Sequence, residues 1–152
     1  MKRRNFVKAL TLSVAVAAAG LGASYAHAQA KTVKVGLAYD IGGRGDKSFN
    51  DAAARGLDKA KKELKVSVKE VSATAGGAAS EREDKLRLLA QAGYNPIIAV
   101  GFLYGDSLAK VAAEFPKTQF AIIDSTVKAP NVSSLLFAEE QGSYLAGVAA
   151  AK

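Results

Sequence analysis

Apolar and polar positions alternate along this chain in two rhythms, and the rhythms take turns. "VKVGLAY" (33–39) is an apolar, β-prone run of strand length. From Phe49 to Leu64 the apolar positions fall at 49, 53, 57, 60 and 64, one stripe at helical spacing. "VSVKEV" (66–71) is β-branched and alternating, which predicts a partly exposed strand. "SATAGGAAS" (72–80) is a small-residue loop. Ser80 then precedes "EREDKLRLLAQAG", a helix with acids in its first turn, Leu86 and Leu89 on one face, and Gly93 as its stop. "PIIAV" (96–100) is a short buried strand, "GDSLAKVAAEF" (105–115) a helix closed by Pro116, and "TQFAIID" (118–124) another strand. "VSSLLF" (132–137) has the composition of a further strand, and "EEQGSYLAGVAAAK" (139–152) reads as a helix.

Helices set between short apolar strands predict an α/β fold: a parallel sheet flanked by helices on both faces. Crossovers of this length are right-handed. In such sheets the ligand crevice lies at the carboxyl ends of the strands. The loops after Tyr39, Val100 and Ile123 should therefore line one edge. The last helix carries Tyr144, Leu145 and Val148 with no cap or turn signal behind it. Those side chains need something to pack on. The expectation is a helix that belongs to a neighbouring lobe, in a truncated chain.

The first thirty residues follow a different plan. "MKRRNFVKAL" is basic, "TLSVAVAAAGLGA" is apolar, and "AHA" (26–28) is a small-x-small cleavage site. That is a secretory signal peptide over 1–28, cleaved after Ala28 or else after Ala30. The paired arginines Arg3 and Arg4, followed by Phe6, leave Sec and twin-arginine export both open. Removing Lys2, Arg3, Arg4 and Lys8 leaves 17 of the 21 basic residues against 14 acids. The net charge falls from +7 to +3, so the basic balance is largely a targeting feature. No Lys/Arg cluster interleaved with aromatics remains, and nucleic acid is not an expected partner.

The missing residue types narrow the chemistry further. The chain has no cysteine, so it has no disulfide, no thiol nucleophile, and no acylation site for a lipoprotein anchor. Its single histidine, His27, lies in the cleavage site. Ser-His and Cys-His catalysis and His-ligated metals are thereby excluded from the mature protein. No metal and no cofactor are expected. An enzyme would have to use Asp, Glu, Lys or Tyr, for example a carboxylate pair in glycoside hydrolysis. "SLAK" (107–110) matches a Ser-x-x-Lys pattern but lacks both companion motifs.

The candidate chemistry sits in the loops. "DIGGRGDKS" (40–48) lacks the phosphate-cradling spacing, and Ser48 breaks the dinucleotide fingerprint. Asp40 and Asp46 would also repel a phosphate, by about 4 kcal/mol at 4 Å and effective ε near 20. The loop suits a neutral or cationic ligand with hydrogen-bond donors. Asp40 ends a strand, where it is either a ligand contact or a cap for the next turn. Asp46 or Ser48 caps the helix, and Ser48 with Asp51 forms an imperfect capping box. Phe49 lies on the apolar stripe and beside the crevice, so core and ligand contact both stay open. Gly101 and Phe102 follow one strand, and Asp124 and Ser125 follow another. Arg44-Gly45-Asp46 also spells the cell-adhesion tripeptide, read here as coincidence.

"VGLAYDIGGRGDKSFNDAAARGL", "GFLYGDSLAKVAAEFPKTQFAIID" and "FAEEQGSYLAGVAAA" together resemble the basic-membrane-protein family. These are purine-nucleoside-receptor-like substrate-binding proteins of ABC importers. The resemblance implies a type I periplasmic-binding-protein lobe over 31–131. It makes 132–152 a crossover strand and the first helix of a second lobe. It implies a monomer that captures a nucleoside-like small molecule without covalent chemistry and presents it to an inner-membrane permease from the periplasm. On the family pattern Asp40 hydrogen-bonds the base, Phe49 stacks on it, and Asp124 is a further polar contact. Gly101, Phe102 and Ser125 complete the expected ligand set. Gly42, Gly43, Asp46, Ser48 and Asn50 shape the loop. The alternative is a sensor module of the same fold, read by a receptor instead of a permease.

Overall fold

The computed structural model describes residues 32–151; the expected export signal over 1–28, His27 included, lies outside them. Five strands form one parallel sheet: β1 (Lys34–Tyr39), β2 (Ser67–Ser72), β3 (Ile97–Val100), β4 (Phe120–Ile123) and β5 (Val132–Leu135). Their order across the sheet is β2-β1-β3-β4-β5. Lys34 pairs with Ser67 and Tyr39 with Ser72, while Gly36 pairs with Ile97 on the other side of β1. The chain therefore leaves β1 toward one edge and returns to β1's opposite side. That reversal puts the topological switch point between the ends of β1 and β3.

The alternation along β1 sends its side chains to two separate cores. Val35, Leu37 and Tyr39 pack with Ala54 and Leu57 of helix α1 (Phe49–Leu64). Ala38 faces the other way, toward α2 (Ala79–Gln91) and α3 (Gly105–Glu114). There Leu86, Leu89, Leu108 and Val111 are fully buried. β2 is half-buried along its length, as its alternating pattern predicts. The helices α2 and α3 are joined outside the core by two ion pairs, Arg87 to Glu114 and Lys110 to Glu83, while Arg87 also pairs with Glu83 and Asp84 of its own helix. β5 does form, and it extends the same sheet through its parallel register with β4, Phe120 opposite Val132. The segment expected at the crossover thus begins as this sheet's edge strand.

Two details differ from the sequence pattern. The buried line of α1 is Asn50, Ala54 and Leu57, whereas Leu64 is 71% exposed and Phe49 37% exposed. The helix is rotated from its apolar stripe because a polar residue, Asn50, is drawn inward by two hydrogen bonds to the β1 end. Helix α3 is preceded by one 3₁₀ turn, Phe102–Tyr104, that buries Tyr104 completely. Helix α4 (Glu139–Ala150) buries none of its residues.

The end of α3 is closed by a residue far along the chain. Buried Asn131 donates its amide hydrogens to the carbonyls of Ala112 (3.1 Å), Phe115 (3.1 Å) and Thr118 (2.9 Å). Its own carbonyl accepts the Phe120 N–H at 2.8 Å. One side chain thereby satisfies the carbonyls that a helix end leaves open. Replacing Asn131 with Ala removes the side-chain donor from the Ala112 and Thr118 carbonyls, while the Phe115 carbonyl keeps the Thr118 N–H, and should cost about 1–3 kcal/mol. Urea unfolding of the Asn131→Ala variant measures it; a change under about 0.5 kcal/mol, the size of an ordinary surface substitution, contradicts this role.

Candidate functional site

The loop from Asp40 to Ser48 is built from carboxylates that bind its own backbone. Asp46 accepts the N–H groups of Ser48 (2.9 Å), Asn50 (2.8 Å) and Asp51 (3.0 Å). Those donors hold its carboxyl below the usual carboxylate range. Asp46 is thus the cap of α1. Ser48 occupies the N-cap position, but its hydroxyl makes no capping bond. The expected Ser48–Asp51 capping box is not formed. Asp51 instead turns back to the N–H groups of Gly45 (2.7 Å) and Lys47 (3.0 Å). Lys47 sits in the left-handed region with φ 53°, which aims its N–H at Asp51. Gly42 and Gly43 also have positive φ, and a Cβ on Gly43 would lie 2.6 Å from the Ser72 hydroxyl.

Arg44 staples this loop to the scaffold. Its guanidinium forks onto Asp58 of α1 (2.8 Å twice) and onto Glu70 of β2 (2.6 and 3.1 Å). Arg44 holds the Glu70 carboxyl below its ordinary value. Glu70 in turn accepts the Tyr39 hydroxyl, whose pKa is pushed up, first by burial and then by that bond. Sequence reasoning missed this staple, since nothing in the spacing of residues 44, 58 and 70 links them. Arg44 and Asp46 are both engaged internally, so the tripeptide they share is not presented as an adhesion motif.

Asp40 is positioned from three sides. Buried Asn50 accepts the Asp40 N–H at 3.1 Å and donates to the Ile41 carbonyl at 3.3 Å. The carbonyl of Tyr39 accepts the hydroxyl of Tyr104 at 3.0 Å and the N–H of Ala73 at 3.1 Å. Burial pushes the Tyr104 hydroxyl up to about 12, so it remains a donor. One Asp40 oxygen accepts the Ile41 N–H at 2.8 Å. The other lies against Gly101, where a Cβ would come within 2.7 Å of it. Gly101 has φ 99° and no side chain, and both are required for this approach. Asp40 and Gly101 therefore meet at the switch point between β1 and β3.

Phe49 and Asp124 line a different space. They share a cavity of about 500 Å³ with Val100, Ile123, Phe137 and Glu139, whose walls are mostly apolar. Asp124 has φ 64°, and its N–H donates to the Leu135 carbonyl at 2.9 Å. Phe102 and Ser125 lie in neither place. They line a second, more polar cavity of about 470 Å³ with Asp106, Thr126 and Lys128. The six residues expected to form one ligand set are thus divided among three neighbouring positions along the sheet's carboxyl edge. Phe137 and Glu139 were not singled out from the sequence; they reach the cavity because β5 pairs in register with β4.

Comparison with known proteins accounts for this architecture. The family model for PnrA-like ABC transporter substrate-binding proteins matches residues 32–152. The chain belongs to that family. An uncharacterized lipoprotein of Pyrococcus horikoshii is 40% identical over 128 residues, 80% of this chain and 30% of the relative. The ABC transporter nucleoside-binding protein BmpA of Lactococcus lactis is 36% identical over 123 residues, 79% of this chain and 35% of BmpA. A solute-binding protein of an ABC transporter system from Aeropyrum pernix K1 superposes with TM-score 0.69 at 38% identity, over 76% of this chain and 31% of that one. The PnrA-like chain spans about a third of the length of these relatives. Its fold is that of a type I periplasmic-binding-protein lobe. The family is one of substrate-binding proteins and not of enzymes.

The capping arrangement has a pH signature. The folded-state pKa of Asp46 is depressed, so its stabilising effect is present above the ordinary carboxylate value near 4. It is lost as pH falls through the lower, folded value. Asp46→Asn should lower the Tm at pH 7, because one amide oxygen replaces two carboxylate oxygens that accept three N–H groups. The two proteins should converge in Tm toward pH 2–3. Thermal melts across pH 2–7 check this, and a Tm difference that stays constant to the acid end contradicts it.

Proposed function

We propose that this chain is a ligand-capturing lobe of an exported solute-binding protein for an ABC importer. Its ligand is a flat, donor-rich small molecule, a purine nucleoside in the first instance. The observation that carries this reading is that Phe49 and Asp124 line one apolar cavity of about 500 Å³. That volume suits a nucleoside-sized ligand. Phe49 is 37% exposed, so part of its ring is free to stack. A base stacked there gains roughly 1–3 kcal/mol. Asp124 would accept an exocyclic amine or ring N–H, for roughly 1.5–3 kcal/mol. Asp40, seated over Gly101 at the switch point, lies beside this cavity and not in its wall, and would reach only a ligand that extends beyond it.

The family and the nucleoside-binding name of the Lactococcus lactis relative support the same ligand class. Residues 31–131 with β5 form the lobe, and α4 leads out of it. Capture is noncovalent, and the partner that reads it is a membrane permease. The signal-peptide pattern over 1–28 supports export to the periplasm. Several relatives are named lipoproteins, whereas this chain has no cysteine to acylate. It would work unanchored at the outer face of the plasma membrane.

Calorimetric titration with adenosine, guanosine, adenine, ribose and an amino acid tests the reading. A purine nucleoside should bind, and Phe49→Ala should weaken it about 5–150-fold. A response to ribose alone, or nucleoside binding that Phe49→Ala leaves unchanged, would overturn the ligand assignment.

A further inference from the structure

Helix α1 rests on the sheet through few large side chains. Its buried residues are Asn50, Ala54 and Leu57. Ala53, Gly56 and Ala60, beside them, border a gap of about 240 Å³ between the helix and Ile98 and Ile123. A helix is keyed against a neighbouring surface by ridges of side chains, and here the ridges are short or missing. Apolar packing alone therefore holds the roll of α1 about its own axis only loosely.

Two polar anchors hold it instead. Asn50 fixes the start of the helix through the Asp40 N–H and the Ile41 carbonyl. Asp58 lies eight residues further on, about 80° round the helix. It accepts Nη1 and Nη2 of Arg44 at 2.8 Å each. The same guanidinium donates to Glu70 of β2 from Nε at 2.6 Å and from Nη2 at 3.1 Å. Glu70 also accepts the hydroxyl of Tyr39, the residue before Asp40. One side chain of the 40–48 loop thus ties α1 to β2 and to the end of β1.

Exposed ion pairs contribute little to stability, and Arg44 and Asp58 are 43% and 57% exposed. What a forked guanidinium supplies is direction. Its removal would also leave Asp58 and Glu70 as like charges facing each other. Arg44 draws the Glu70 carboxyl below its ordinary value, and Asp58 acts on it in the opposite sense. Losing Arg44 exchanges a clamp for a repulsion.

We infer that Arg44 is a positioning residue for ligand capture: it locks the roll of α1, and with it the direction in which Phe49 faces the cavity. Arg44 itself is not in the cavity wall. The inference rests on the reading of Phe49 as the stacking face.

The test uses the exported chain, with adenosine as the probe. Calorimetry should give Arg44→Met about tenfold weaker binding than the unaltered chain. Arg87→Met, which removes the ion pairs of Arg87 on the α2 and α3 side, should leave the affinity unchanged whatever it does to the Tm. Adding Asp58→Asn to Arg44→Met removes the repulsion and should bring the affinity back to within about threefold of the unaltered chain. A fold that was merely weakened would lose more with the second substitution. Adenosine carries no charge, yet the deficit of Arg44→Met should shrink between about 0.01 M and 1 M salt, as the screening length falls from about 30 Å to 3 Å. Without ligand, amide exchange over residues 41–47 and the first turn of α1 should be about tenfold faster in Arg44→Met, with β3 and β4 unchanged. Equal affinities of Arg44→Met and the unaltered chain overturn the inference, as does a double variant weaker than Arg44→Met. Exchange that Arg44→Met leaves unchanged overturns it too. If the unaltered chain binds no adenosine, the ligand assignment fails; faster exchange then still upholds the lock, and unchanged exchange overturns it.

Discussion

The inward turn of one polar side chain, Asn50, sets the orientation of the whole site. Its amide bonds the Asp40 N–H and the Ile41 carbonyl while lying 98% out of solvent. Neighbouring residues on a helix are about 100° apart. With Asn50 held inward, Ala54 and Leu57 follow it into the core, and Phe49 is carried round toward the carboxyl edge of the sheet. An apolar residue at position 50 would leave the Asp40 N–H and the Ile41 carbonyl without these partners. It would also free α1 to roll back onto its apolar stripe, which would press Phe49 into the core and close the cavity. The same two bonds therefore fix both the acceptor at Asp40 and the aromatic face at Phe49.

Several acids around the site are committed to structure, whereas Asp40 and Asp124 at the strand ends, like Asp106 and Glu139 in the cavity walls, are left out of the ion pairs among the described residues. Asp46 and Asp51 bind backbone N–H groups of their own loop. Asp58 and Glu70 share Arg44. Among the described residues, Asp40 and Asp124 take part in no ion pair. Arg44 thus neutralises the acids of the scaffold and leaves the strand-end acids as hydrogen-bond acceptors. Such a surface discriminates against phosphate by charge and favours neutral or cationic donors.

Much of this was legible in the sequence. The strands and helices were readable because each buries one face at its own period, and the parallel sheet followed from their alternation. Even β5 was visible in its Val-Ser-Ser-Leu composition. The phase of α1 was not, because a count of apolar positions gives no weight to Asn50. Nor was the capping of α1: Asp46 was one of two candidates, and the Ser48 alternative failed because Lys47 takes a left-handed conformation that brings Asp51's partners round behind it. The division of the ligand set has a similar origin. Strand ends place residues along an edge, but a positive φ at Asp124 and at Gly101 decides which side of that edge each loop enters.

The site and the uncovered face of the sheet are consequences of one arrangement. A five-stranded sheet needs more than one helix on each side to exclude water, and here α1 alone serves β1, β3 and β4 on its face. Where α1 covers the strands, the core is closed around Val35, Leu37 and Tyr39. Where it does not, Ile98 and Ile123 stay partly open, and the gap widens toward Val100 and Phe137 into the cavity that holds Phe49 and Asp124. Filling the gap with larger side chains would stabilise the isolated fold and remove the cavity. The small residues Ala52, Ala53, Gly56 and Ala60 keep it open. The apolar surface they leave exposed carries a standing cost in solubility, and that cost is relieved where a ligand occupies the cavity.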